Sequence, residues 1–175
     1  MITATRQSML HEWVNKFELF GLPDPLERID QILLESIHGS RSIIHGDLNL
    51  ENILVGPGNL LWLIDFAQTR EGHCLFDFSH LTAEFITHII AEKIEAPQDF
   101  LSVLESNALP PFEDLQLILH ALQQISAQLL FNPSNPSEYQ ISRALACLGA
   151  LKYRNISNHS RHFLYLAAAY YLNQN

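Results

Sequence analysis

One stretch constrains this chain more than any other: His45-Gly46-Asp47-Leu48-Asn49-Leu50-Glu51-Asn52-Ile53-Leu54-Val55, then a turn, then Leu63-Ile64-Asp65-Phe66-Ala67. It gathers acids and an asparagine between short apolar runs that can hold them rigidly. Gly56-Pro57-Gly58-Asn59 separates Ile53–Val55 from the run 60–64 and has the chemistry of a hairpin turn. Such a hairpin sets Asn52 at the start of one strand and Asp65 at the end of its partner, side by side. With Asp47 on the preceding loop, three oxygen-bearing side chains would converge, a donor set suited to a hard divalent cation. Asp and Asn also favour turns, so a plain strand-turn-strand could use the same residues as caps.

The two motifs together resemble the catalytic loop and metal-binding segment of the kinase fold, written H-R-D-L-x-x-x-N and, after a hairpin, D-F-G. Gly46 stands where protein kinases carry arginine. That variant, with Asn52-Ile53-Leu54 after it and Ile64-Asp65-Phe66 beyond, is similar to the aminoglycoside phosphotransferase and choline kinase branch. The resemblance implies that Asp47 orients the attacking hydroxyl or accepts its proton. It implies that Asn52 and Asp65 hold Mg2+ against the phosphates of ATP. His45 is cast as a structural post holding a backbone carbonyl in preference to a second base. Asn49 stands where protein kinases place lysine and the small-molecule kinases often place histidine, a departure that removes a positive charge from the catalytic set. Asp77 would either brace the catalytic-loop backbone, as an aspartate in this region does in related kinases, or cap a helix start.

The remainder reads as a helical body. Met9, Leu10, Trp13, Val14, Phe17 and Phe20 recur at helical steps, giving a leading helix over 1–21 ended by Gly21. Asp24-Pro25-Leu26-Glu27 carries a capping carboxylate, proline at the first helical position and an acid three residues on, opening a helix over 24–39. A catalytic-type loop and metal-site hairpin occupy 43–67, Gln68 to Leu75 reads as a loop, and 76–172 forms a helical subdomain. Within that subdomain, Leu115, Ile118, Leu122, Ile125 and Leu129 predict a core-facing stripe. The fold class is therefore mainly α with a small β-hairpin, which the resemblance casts as a kinase-like C-terminal lobe alone. No G-x-G-x-x-G precedes the loop and no V-A-I-K-like strand offers a lysine, so the nucleotide-cradling N-terminal lobe is expected to lie upstream or on a partner protein.

Charge narrows the partners. Ten Lys+Arg against 19 Asp+Glu give a net charge of -9, which argues against nucleic acid because a phosphate-backbone binder needs a basic stripe. Nucleotide phosphates stay compatible when a metal supplies the neutralising charge. No apolar run approaches the roughly eighteen residues of a membrane span. The two cysteines, Cys74 and Cys147, have no metal-type spacing, and without a secretory leader a reduced, cytoplasmic setting is expected. Nine histidines raise the question of zinc, but no H-x-x-x-H pair is accompanied by further ligands. His73 and Cys74, as neighbours, are expected to point apart.

Three functions fit these residues. The first is a phosphotransferase of the aminoglycoside or choline kinase type, acting on a hydroxyl-bearing acceptor and nearly inactive as this chain alone. The second is a kinase-derived interaction module that transfers nothing. The third is a magnesium-dependent phosphohydrolase built on Asp47 and Asp65 in an unrelated fold. The helices after the hairpin carry no residue code for an acceptor.

Overall fold

The computed structural model describes Val14 and residues 16–34, 38–108 and 110–174. Much of the expected leading helix, including Met9, Leu10 and Trp13, lies outside these residues. Where the chain is described, the helix ends earlier than Phe20: Phe17 to Leu19 have no regular structure, and Phe20 (φ 52°) and Gly21 (φ 85°) turn the chain through left-handed backbone. Tertiary packing overrides the helical period here. Phe17 stacks on His162 with centroids 4.9 Å apart, and His162 Nε2 lies 2.8 Å from the Glu18 carbonyl, so the segment is held against the body.

Helix α1 (Pro25–Leu34) begins where the Asp24 carboxylate accepts from Leu26 N at 2.8 Å and from the Tyr165 hydroxyl. It buries Leu26, Ile29 and Ile32. Its last described residue is Leu34, and His38 to Ser40 have no regular structure. The chain then forms four short strands: β1 (Arg41–Ile44), β2 (Ile53–Val55), β3 (Leu61–Leu63) and β4 (Arg70–His73). They pair as two antiparallel ribbons, β1 with β4 and β2 with β3. The β2–β3 hairpin matches Ile53 with Leu63 and Val55 with Leu61, and Gly56 N donates to Leu60 O across the turn.

Strand β4 replaces the loop expected over Gln68 to Leu75. Arg70-Glu71-Gly72-His73 has no alternating apolar pattern, so nothing local announces it. Its existence depends on the partner strand. A Cβ at Gly72, opposite Ser42, would fall 2.4 Å from Ile44 Cδ1, so glycine there lets the Ile44 side chain lie across the ribbon.

Among the described residues five further helices make the body: α2 (Phe76–Phe85), α3 (Pro97–Leu104), α4 (Glu113–Ala127), α5 (Ser137–Ala150) and α6 (Asn158–Asn173). The fold is thus mainly α with a small β component. Helix α2 continues through a π-helical stretch (Ile86–Ile90) into a last turn (Ala91–Lys93). In this stretch Ala91 N reaches back to Ile86 O, and the Thr87 carbonyl accepts from the Ser160 hydroxyl of α6 at 3.2 Å.

Helices α5 and α6 pack most extensively on each other, and α2 lies on α5. Helix α6 is buried nearly all round, with Phe163 to Ala169 all inaccessible, as expected for the central rod of a helical body. Phe163 stacks on Phe100 of α3 at 4.4 Å with planes 4° apart. Arg143 is buried with its guanidinium between the rings of Tyr139 (3.7 Å) and Tyr171 (3.9 Å), where two aromatic faces stabilise its charge.

The stripe expected on α4 is displaced. Leu115 is buried, but Ile118 and Ile125 are exposed, and the inward face runs through Leu115, Leu119, Leu122 and Ser126. Leucine and isoleucine surround this helix, so periodicity alone did not select the face that meets the core. Among the described residues no helix is long and apolar enough to cross a membrane.

Because Phe163 is fully buried and stacked, Phe163→Ala should lower unfolding free energy by about 3–5 kcal/mol, measured by urea denaturation.

Candidate functional site

Two backbone amides hold the polar loop after β1 to the helical body. His45 N donates to Asp77 Oδ2 at 2.7 Å, and Gly46 N donates to Asp77 Oδ1 at 2.9 Å. Asp77 sits in the first turn of α2, where the helix dipole also favours a negative charge. Both carboxylate oxygens are given to the loop, and no side chain caps this helix by hydrogen bonding.

The His45 ring is buried and packs against Phe66 at 4.9 Å. Its Nε2 lies 2.8 Å from the Ile64 carbonyl, so the imidazole donates to the residue just before Asp65. Asn52, also buried, donates from Nδ2 to the Asp47 carbonyl at 2.9 Å, which leaves Oδ1 as the amide's acceptor. The backbone of Asn52 meets the hairpin partner through Ile64 N to Asn52 O at 3.1 Å. Hydrogen bonds thus run from Asp77 through His45, Ile64 and Asn52 to Asp47, and the Gly46–Asp47 peptide closes the circuit, since Gly46 N is itself held by Asp77.

Asn49 serves this circuit and adds no charge to it. Its side-chain oxygen accepts from Asn52 N at 3.0 Å and caps the 3-10 turn Leu50–Asn52. Asp65 follows the circuit in left-handed backbone (φ 60°, ψ 64°), exposed, with a 3-10 turn (Phe66–Gln68) after it. A non-glycine residue there carries strain of about 1–3 kcal/mol, which the surrounding structure has to impose.

Gly46 is required twice over. Its φ is +84°, and a Cβ would fall 2.2 Å from Gln68 O and 2.3 Å from an Arg70 guanidinium nitrogen. Arg70 donates to that same Gln68 carbonyl at 2.8 Å and lies over the Phe76 ring. A branched residue at 46 would push the loop off β4.

Asp47, half-exposed, stands on the wall of a cavity of about 790 Å³ formed mainly by α2 and α5. Arg70, His80, Glu138, Lys152 and Tyr153 also line it. Burial raises the Tyr153 hydroxyl pKa, with the negative fields of Glu84 and Asp47 adding to the effect. These wall residues come from separate elements and sit at no shared spacing, so no sequence signal marks them. Asp65 and Asn52 do not line the cavity; Asp47 lies between the cavity and the hairpin.

His73 and Cys74 do not point apart. Their ligand atoms and a Glu138 carboxylate oxygen all lie within 4.8 Å of one another. Strand β4 ends at His73, and the chain bends into α2 so that the Cys74 thiol donates to the Leu129 carbonyl at 3.3 Å. The bend removes the strict alternation that would send neighbours to opposite faces.

The architecture is that of a mainly helical domain with a hairpin-borne polar site. A family model described as ternary complex associated domain 9 matches residues 2–161, and the chain belongs to that family. No curated protein and no solved structure matches the chain.

Removing the brace should be costly: Asp77→Ala leaves two loop amides without a charged acceptor and should lower stability by roughly 2–4 kcal/mol in urea denaturation. Gly46→Ala should cost about 1–3 kcal/mol or more, since strain and steric clash act together.

Proposed function

We propose that this domain is the metal-and-base half of a phosphotransfer site of the aminoglycoside or choline kinase type. The observation that carries the reading is the closed circuit that presents Asp47 to the cavity while fixing Asn52 against the hairpin that ends in Asp65. The donors fit a hard cation, being an amide oxygen and an exposed carboxylate with no sulphur or imidazole among them. Asn52 and Asp65 are the residues that would hold Mg2+, which would neutralise nucleotide phosphate charge when bound.

Each residue of the chain then has a task. The cavity holds a hydroxyl-bearing acceptor. Asp47 orients its hydroxyl and takes the proton as the oxygen bonds to the γ-phosphorus and the bond to the β–γ bridging oxygen breaks, releasing ADP. His45 fixes the peptide preceding Asp65, and Asp77 keeps the loop from sagging away from the hairpin. Asn49, used as a cap, lends the transferring phosphate no positive charge.

A second reading has its own support. Val55, Leu60, Leu61, Trp62, Leu63 and Phe66 are all exposed on the hairpin and its exit. An apolar surface of this kind marks an interaction site, and a two-stranded ribbon alone is marginally stable. The family description refers to a ternary complex, which suits a domain that works against a partner. A separate nucleotide-cradling lobe would satisfy both readings.

The test separates them. Mg2+ with ATP at ten times the dissociation constant should stabilise the chain by about 1.4 kcal/mol, a melting shift of a few degrees. Asp65→Ala should abolish the shift and Asp47→Asn should keep it. An equal shift in Asp65→Ala, or none in wild type, supports the interaction module. Phosphoryl transfer from labelled ATP by the chain alone is expected to be negligible, because it lacks a glycine-rich loop and its lysine; transfer that vanishes in Asp47→Asn would establish an active short enzyme.

A further inference from the structure

The geometry points to a second cation site, chemically unlike the first: His73, Cys74 and Glu138 form a three-ligand site for a thiophilic divalent cation of the zinc type on the cavity wall. The donors are an imidazole, a thiol and a carboxylate, the set that zinc takes and magnesium does not. They come from the end of β4, the bend after it and the first turn of α5.

Glu138 supplies the decisive observation. Its side chain is almost wholly buried, and its Oε2 accepts from Phe131 N at 2.9 Å, which fixes the carboxylate. Its Oε1 has no hydrogen-bond donor. His73 Nε2 is 3.0 Å from that oxygen, an ion-pair distance without the alignment of a hydrogen bond, so the ring nitrogen and the buried carboxylate oxygen face each other at the spacing of two ligands on one cation. A cation coordinated by both atoms would take the place of that contact.

Charge closes the argument. The carboxylate and a Cys74 thiolate together balance a divalent cation, giving a neutral group. Binding forms a metal–sulphur bond and releases one proton, from the thiol. The imidazole keeps its single proton, which moves from Nε2 to Nδ1 and displaces the 3.2 Å contact from Leu75 N. Leu75 is fully buried, so the loss of that contact opposes binding and the metal bonds have to outweigh it.

His73 and Glu138 both line the cavity, so the fourth coordination position opens toward whatever occupies it, as in zinc sites that keep a water or a ligand. Gly39 backs the site: a Cβ there would fall 2.1 Å from His73 Nε2 and 2.9 Å from Glu138 Oε1. Glycine therefore leaves the two ligand atoms accessible to one another and to a cation.

Cobalt(II), added to the metal-free full chain, is the probe, because its bonds to thiolate give a charge-transfer band that oxygen ligands do not. One equivalent should produce the band and zinc should displace it, while excess Mg2+ should not. Cys74→Ser should abolish the band and Cys147→Ser should retain it. His73→Gln, Glu138→Gln and Gly39→Ala should each weaken cobalt binding more than about tenfold. Asp65→Ala should leave the band unchanged, which keeps this site separate from the magnesium reading. Absence of the band in wild type, or its persistence in Cys74→Ser, overturns the proposal.

Discussion

One carboxylate fixes the polar loop of this molecule to its helical body. Asp77 belongs to the helical body by sequence and to the polar loop by hydrogen bonding. The loop has little core of its own: the hairpin beyond it is largely exposed, and Gly46 tolerates no side chain. Its position is therefore set by directional bonds to a rigid helix and very little by apolar burial. Bonds to a charged acceptor are worth about 1.5–3 kcal/mol each, enough to fix a loop that packing leaves free. From that anchor the remaining bonds follow in order, through His45 to Ile64 and through Asn52 to Asp47.

Much of this was legible in the sequence because it rests on local chemistry. The Asp24-Pro25 helix start, the Gly-Pro-Gly-Asn turn and the motif spacing all act over a few residues. What was not legible depends on distant partners. Strand β4 is polar and exists through its pairing with β1, and the face of α4 was misjudged because leucine and isoleucine lie on several sides of that helix. The approach of His73, Cys74 and Glu138 was hidden for a related reason. Adjacent residues diverge on a regular strand, and only the bend into α2, together with a glutamate from α5, brings the three together.

The polar groups divide by chemical hardness. On the hairpin side stand oxygen donors alone, Asn52 and Asp65. On the cavity side stand sulphur, imidazole and a single buried carboxylate. Asp47 lies between them. Ligand softness selects among cations, so the two proposed sites would not need to compete for one metal.

The π-helical stretch at Ile86–Ile90 has a meaning for how such a domain can vary. It holds one residue more than an α-helix of equal rise, and each residue turns an α-helix by about 100°. Before it, α2 directs Asp77 to the loop, His80 to the cavity and Ala83 and Phe85 to the core; within and after it, Ile86, Ile90 and Ile94 lie in the core. The stretch shifts the phase of the core residues that follow it relative to the loop-facing and cavity-facing residues that precede it. Chain-length changes in this helix are therefore not neutral: a single residue gained or lost here would re-aim the brace relative to the core, whereas the same change in an exposed loop would leave both in place.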